Sequence, residues 1–327
     1  MNEVTILPRA DNNIALSLDN SVVTPEYYVE NYIEFLPRYI SQGRPSKDTL
    51  VTYREGIEHF KRWCSDNNRH PLAIGDYQMR IYMEGLFKVY KDASISRMLA
   101  AIRAFFAVAV KLNFIKVNPC EHIHVSKTSP WEEGFRFYTN DQVQEVCDAF
   151  SEIQDPFIRY RNLLILHLLA VEGMRRVEVH RMNDEDVDTE NGSLLVRGKG
   201  HNGVIYPSAA TLEILNKYWM YRPDSKKEGP LTPTIVSDYR HHYRRISRDG
   251  LVRIMNWALE KCNLKHKGYS CHVMRHSCGS NLYAETKDLR VVQEQLRHRD
   301  PKMTAKYAHV QERMTHRHTQ KLAPKVK

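Results

Sequence analysis

The sequence has few cysteines, and their spacing pairs none of them. Cys64, Cys120, Cys147, Cys262, Cys271 and Cys278 form no C-x-x-C and no regular framework, which argues against a disulfide-stapled fold. The opening stretch, MNEVTILPRADNN, has no basic head followed by an apolar core, so no signal peptide is expected. Long hydrophobic runs are also missing: the most apolar one, LLILHLLAV, is too short to span a bilayer and carries His167. No internal repeat is visible. These absences point to a cytoplasmic protein with reduced thiols and no membrane partner.

What is present is ordinary globular composition with a basic balance. Hydrophobic residues make up 42% and charged residues 27% of the chain, which is neither disordered nor fibrous. The 327 residues allow about two domains, each with its own core. Lys and Arg number 48 against 39 for Asp and Glu, a net charge of +9. Such an excess favours a polyanionic partner, with nucleic acid ahead of a membrane surface.

Periodicity divides the chain. Residues 1–24 are polar and without period, and read as a loose arm. From Pro25 the pattern turns helical, with Thr24-Pro25 as a start signal. The next helix, capped by Ser46, sets Leu50, Tyr53, Ile57, Phe60 and Cys64 on one face. A third, near Asp76 to Tyr90, carries Met79, Ile81, Tyr82 and Leu86. The fourth presents Ile95, Met98, Ile102, Phe105 and Ala109, and its many alanines suggest close helix–helix contact. Residues 25–122 thus form a helical module, followed by a linker at 123–138. A second domain, 139–327, opens on a helix capped by Thr139 or Asn140. It breaks at Gly173, holds a β-hairpin in GSLLVRGKGHNGVIYPS, and ends in helices with a basic tail at 311–327. The fold class is mainly α with a small antiparallel sheet.

Near the end stands TAKYAHV, with Tyr307 just downstream of a run of His and Arg. A phenol with a pKa near ~10 is a poor nucleophile unless its anion is stabilised or its proton removed. Guanidinium and imidazole groups could help it, and they also grip phosphate. Five short stretches carry such groups: GMRRVE with Arg175, GKG with Lys199, HVMRHS with His272 and Arg275, LRH with His298, and KY with Tyr307. Singly each is ordinary. Arg175 reads as a surface charge, Lys199 as a solvated hairpin tip, Tyr307 as a packing residue. His272 and His276, four apart, could form half a zinc site, but no Glu follows the first His and no third ligand is evident, so no metal is expected.

In combination and order, these five stretches resemble the tyrosine recombinases, the phage integrase family. TLVTYREGIEHFKRW and SRMLAAIRAFFAVAVKLNFIKVNP resemble its helical core-binding domain, and RRISRDGLVRIMNWALEKCNL the segment leading into its His-x-x-Arg box. Tyr307 lies nine positions past His298 (307 − 298 = 9). The resemblance implies a helical core-binding domain joined to a mixed α/β catalytic domain. It implies catalytic Arg175, Lys199, His272, Arg275, His298 and Tyr307, with Glu178 as the structural acid of the Gly-x-Arg-x-x-Glu pattern. It implies that Tyr307 displaces a DNA 5′-hydroxyl to leave a 3′-phosphotyrosine, that the arginines neutralise the phosphorane, and that Lys199 protonates the leaving oxygen. No cofactor is implied. Partners would be double-stranded DNA bearing a recombination site, three further copies of the chain in a homotetramer on synapsed DNA, and accessory DNA-bending factors. Lys47, Arg54, Arg97 and Arg103 are the expected phosphate contacts of the helical module.

Several positions depart from the family pattern: Glu172 for a small hydroxyl residue, HNGVIYP for a Lys-x-Arg after the hairpin lysine, Cys271 for proline, Met274 for leucine, and Arg297 for glycine. Two other readings stand beside the recombinase: a relaxing topoisomerase of type IB, and a DNA-binding protein whose active site has decayed.

Overall fold

A computed structural model of the chain describes residues 15–16, 22–126, 136–198, 202–222, 236–237 and 244–315. The chain separates into two compact units, Met1–Glu133 and Gly134–Lys327.

The first unit is a bundle of four helices: α1 (Pro25–Phe35), α2 (Lys47–Asp66), α3 (Asp76–Val89) and α4 (Asp92–Lys111). Ahead of it, β1 (Ala15–Leu16) and β2 (Val22–Val23) pair antiparallel, so part of the expected arm is ordered and Val23 joins the core. Side-chain caps begin two helices. Thr24 Oγ1 accepts from the Tyr27 amide at 3.1 Å, and Ser46 Oγ from the Thr49 amide at 3.2 Å. The apolar faces read from sequence meet in one core, where Ile57, Phe60, Met79, Ile95, Ile102 and Phe105 are fully buried. Gly56 of α2 lies so close to α4 that a Cβ there would sit 3.1 Å from Ala101 Cβ, which is the close contact the alanines of α4 suggested. Ile81 of α3 lies away from this core. It is 43% exposed because it stands two residues from buried Met79, on roughly the opposite side of the helix.

The second unit starts with α5 (Asn140–Ser151) and α6 (Pro156–Ala170), then the short α7 (Arg176–Arg181). Thr139 and Gln142 form a reciprocal capping box at the head of α5. The sheet comes next, as β3 (Val187–Asp188), β4 (Ser193–Arg197) and β5 (Asn202–Ile205), antiparallel in that order with Leu195 opposite Val204. Leu194 and Val196 alternate inward, while the hairpin turn at 199–201 lies outside the described residues. After α8 (Ala209–Tyr221) a two-stranded ribbon pairs β6 (Val236–Ser237) with β7 (Arg244–Arg245). Four helices close the unit: α9 (Arg248–Lys261), α10 (Cys271–Thr286), α11 (Leu289–Leu296) and α12 (Lys302–Thr315). The expected tail begins inside α12, and residues 316–327 lie outside the described part.

Helix α6 is the buried spine, with Leu164, Ile165, Leu168 and Leu169 fully covered. Three residues past its end stands Gly173, whose φ of +63° suits glycine. A Cβ there would lie 2.5 Å from Leu296 Cδ2 and 2.9 Å from Cys278 Sγ, so this turn also lets α10 and α11 approach. Glu172, one of the departures, is buried and has a structural job. Its Oε1 accepts from the Ser208 amide at 3.0 Å and the Thr211 hydroxyl at 2.7 Å, tying the head of α8 to the end of α6.

Candidate active site

The head of α7, helix α10 and the end of α11 converge on one buried carboxylate. Glu178 is 2% exposed and sits in the first turn of α7. Its Oε2 accepts the Arg175 amide at 2.8 Å and its Oε1 the Arg175 Nη1 at 2.7 Å, so the carboxylate caps the head of α7 and also holds the guanidinium of the capping residue. Arg297 Nη2 reaches Oε2 at 3.0 Å, and Arg275 Nη1 lies 3.9 Å from the same oxygen. Three guanidinium groups from three elements therefore share one acid. Burial alone would raise the Glu178 pKa, but the Arg175 amide and the charges of Arg297 and Arg175 outweigh it and hold the carboxyl below its ordinary value.

Arg275 is anchored from behind. Helix α10 carries it inward to 2% exposure, where it donates to the carbonyls of Gly173 and Leu296. Burial, with Arg175 nearby, pushes its pKa down to about 10, so it stays charged at neutral pH. Arg175 is different, with 40% of its side chain exposed. It faces a cleft of about 390 Å³ lined by Glu178, Val196, Gly203, Arg297, His298 and Met303. The sheet forms one wall and the α11–α12 connection the other.

Tyr307 is fully buried on α12. Its ring lies against Gly279 of α10, where a Cβ would be 2.6 Å from Tyr307 Cζ, so a side chain at 279 would displace the phenol. Three groups surround it, and a fourth stands behind them. His276 Nδ1 is 3.2 Å from Tyr307 Oη, the His298 ring stacks parallel at 6.2 Å, and Lys306 Nζ lies 5.2 Å from the ring centre. His272 stands 4.4 Å from His276, ring centre to ring centre, on the exposed side of α10. His298 Nδ1 is paired with Thr304 Oγ1 at 2.9 Å, which fixes its ring. Burial raises the phenol pKa and Arg275 only partly opposes it. Burial pushes His298 down to about 3, helped by Arg275, and His276 down to about 2, helped by Lys306. Burial and Arg275 bring Lys306 down to about 8. At neutral pH the two imidazoles are uncharged.

These shifts have a consequence for stability. An unfolded imidazole takes up its proton near pH ~6.5, whereas buried His276 and His298 resist until about 2 and 3. Between pH ~6.5 and about 3 the unfolded chain binds more protons, so stability falls as pH falls. Thermal melts of the full chain should drop steadily through that window. Replacing both histidines by Gln should flatten the drop, and an unchanged pH profile in that double variant would contradict the assignment.

The sequence model of the phage integrase family matches residues 136–314, and that of its N-terminal SAM-like domain residues 32–113. The chain belongs to the phage integrase family. Among curated tyrosine recombinases, XerC of Syntrophus aciditrophicus (strain SB) is 28% identical over 299 residues, covering 86% of this chain and 94% of that one. XerD of Staphylococcus epidermidis (strain ATCC 35984) is 29% identical over 292 residues, covering 86% and 93%. Solved structures share the fold. The XerH site-specific recombinase bound to palindromic difH substrate aligns with a TM-score of 0.70 at 18% identity, over 89% of this chain and 83% of that one. A lambda integrase dimer bound to a COC′ core site gives 0.67 at 19%, over 97% and 81%.

Among the positions that the resemblance to this family singled out, Arg175, Glu178, Arg275, His298 and Tyr307 come together around the cleft. His272 stands at its edge behind His276. Lys199 lies outside the described residues, between β4 and β5. In the helical unit Lys47 and Arg54 are exposed, seven residues apart on α2, and Arg97 is exposed on α4. Arg103 is turned elsewhere: its guanidinium donates to the Cys120 carbonyl at 3.3 Å and the Ile123 carbonyl at 2.6 Å, holding the segment after α4. Two neighbours of the phenol were missed. Sequence alone offers His276 only as half of a zinc site and gives Lys306 no role. The signal for His276 was its place one turn after His272, on the face that meets α12.

Proposed function

We propose that this integrase-family enzyme cuts and rejoins duplex DNA at a specific site, with Tyr307 as nucleophile and a 3′-phosphotyrosine as intermediate. The observation that carries the proposal is the sharing of Glu178 by Arg175, Arg275 and Arg297 beside a buried phenol whose hydroxyl already meets a neutral imidazole. Tyr307 Oη attacks phosphorus, the bond from phosphorus to the 5′-oxygen breaks, and the phenolic proton passes to an imidazole. Arg175 and Arg275 are suited to stabilise the non-bridging oxygens, since guanidinium donates paired bonds and stays charged. His298 and His272 serve as further donors or acceptors, and Lys199 on the hairpin supplies the proton for the leaving 5′-oxygen. A phosphotyrosine retains the energy of the broken bond, so a second 5′-hydroxyl reverses the step without a cofactor. Because the resting phenol is fully covered, it must swing outward to reach a phosphate.

The partners follow from the chemistry. Two duplexes must be held together, so the working assembly is a homotetramer on paired sites, with accessory DNA-bending factors as further partners. Lys47, Arg54 and Arg97 are the proposed phosphate contacts of the helical unit, and cytoplasm is the proposed location. The deciding experiment compares strand exchange between two copies of the cognate site with relaxation of a supercoiled plasmid that lacks it. The recombinase reading expects site-dependent exchange. Relaxation without exchange would establish the topoisomerase alternative, and binding with neither activity would establish a decayed enzyme.

A further inference from the structure

Arg297 occupies a position where an arginine is costly. It follows the last residue of α11 with φ +52° and ψ +47°, the left-handed region that glycine enters freely and a residue with a Cβ does not. The turn itself is ordinary: the Arg297 amide donates to Glu294 O at 3.0 Å and the His298 amide to Gln293 O at 3.0 Å. Glycine would satisfy this backbone without strain, so the arginine is explained by what its side chain does.

That side chain links three elements. Nη2 donates to Glu178 Oε2 at 3.0 Å, and Nη1 to the Gln295 carbonyl at 2.8 Å. Its methylenes run along β5, where a Cβ on Gly203 would lie 3.2 Å from Arg297 Cδ and 3.9 Å from Cγ. The Nε proton is buried and has no hydrogen-bond partner among the described residues, a second cost at the same residue. Strain and an unsatisfied donor at one residue lining the cleft mark a site held in place by its surroundings. Glu178 presents Oε1 to the Arg175 side chain and Oε2 to Arg297, so the two guanidinium groups grip the carboxylate from either side.

We propose that Arg297 is a positioning residue for phosphate binding: by fixing the Glu178 carboxylate it aims Arg175 into the cleft, and by packing along Gly203 it holds β5 against the same cleft. The inference rests on the reading of Tyr307 as the nucleophile. Arg297 touches neither the phenol nor a reacting atom in this arrangement. Its effect passes through Glu178, and small misplacements of such groups cost one to two orders of magnitude in rate.

The test uses the full chain with Arg297→Gly and Arg297→Asn, since both residues accept the left-handed turn and neither reaches Glu178. Adduct formation is measured on a nicked suicide substrate, together with binding to the intact site and thermal melting. Both variants should fold and bind within about twofold of the wild type, yet form the adduct roughly 10- to 100-fold more slowly. Arg297→Lys, with a single ammonium nitrogen in place of a planar fork, should recover part of the rate. Paired with Glu178→Gln, Arg297→Gly should add little further loss, because both act through one carboxylate. The acid limb of the rate–pH profile should also move upward, because His298 loses a neighbouring cation. A wild-type adduct rate in either folded variant overturns the inference. Absence of any adduct from the wild-type chain overturns the Tyr307 reading instead.

Discussion

Tyr307→Phe binds the cognate site as the wild type does and forms no covalent adduct on a suicide substrate. The change removes one oxygen and leaves the ring, which packs against Gly279 and stacks on His298. The lost hydroxyl does have a half-buried partner, so the swap is not free: His276 Nδ1 loses its 3.2 Å contact. An orphaned buried polar group costs about 1–3 kcal/mol. For a unit of this size each kcal/mol lowers the melting temperature by roughly 2–4 °C. The variant should therefore melt modestly lower but remain folded at assay temperature. Its chemistry should vanish altogether, because no other group can form the phosphotyrosine. Tyr283→Phe and Tyr269→Phe, which change the neighbouring phenols, should keep the adduct. An adduct from Tyr307→Phe would mean that another residue is the nucleophile and that the site has been read in the wrong register.

The pattern of what could be read from sequence follows the range of the interactions. Helix faces were legible because burial repeats every three to four residues. Ile57, Phe60 and Cys64 on α2 needed only that period. Caps at Ser46 and Thr139 were legible for the same reason, since each bond spans three residues. Contacts across a hundred residues leave no such trace. Nothing in LRH says that Arg297 crosses to Glu178, or that Glu172 reaches Ser208 and Thr211. The order of the short motifs did identify the groups that gather at the cleft, through resemblance to a family and not through periodicity. It could not reveal that the phenol rests on His276, a contact made only once α10 and α12 pack together.

Glu178→Ala should be the most damaging single change short of the nucleophile, and for a reason separate from chemistry. The carboxylate is the shared counter-charge of Arg175, Arg275 and Arg297, and Arg275 is itself buried. Removing one partner of a buried ion pair typically costs about 3–5 kcal/mol, because the remaining charge is left uncompensated. The melting temperature should then fall by on the order of 10 °C. Adduct formation should also drop, by about 10²–10³-fold, as Arg175 and Arg275 lose the geometry needed at the phosphorane. Glu178→Gln separates shape from charge. It can still accept from Arg175 through one oxygen, but its amide faces Arg297 with donors opposed to donors, so it should fall between the wild type and Ala in both measurements. A pH signature distinguishes the ionic role from packing. Because the folded-state pKa of Glu178 lies below its unfolded value of ~4.3, its contribution is full above that value and is lost as pH falls through the depressed folded pKa. Melts of wild type and Glu178→Gln should therefore differ most above pH ~4.3 and converge at lower pH. A constant gap down through that range would mean that Glu178 fills space and holds no charge.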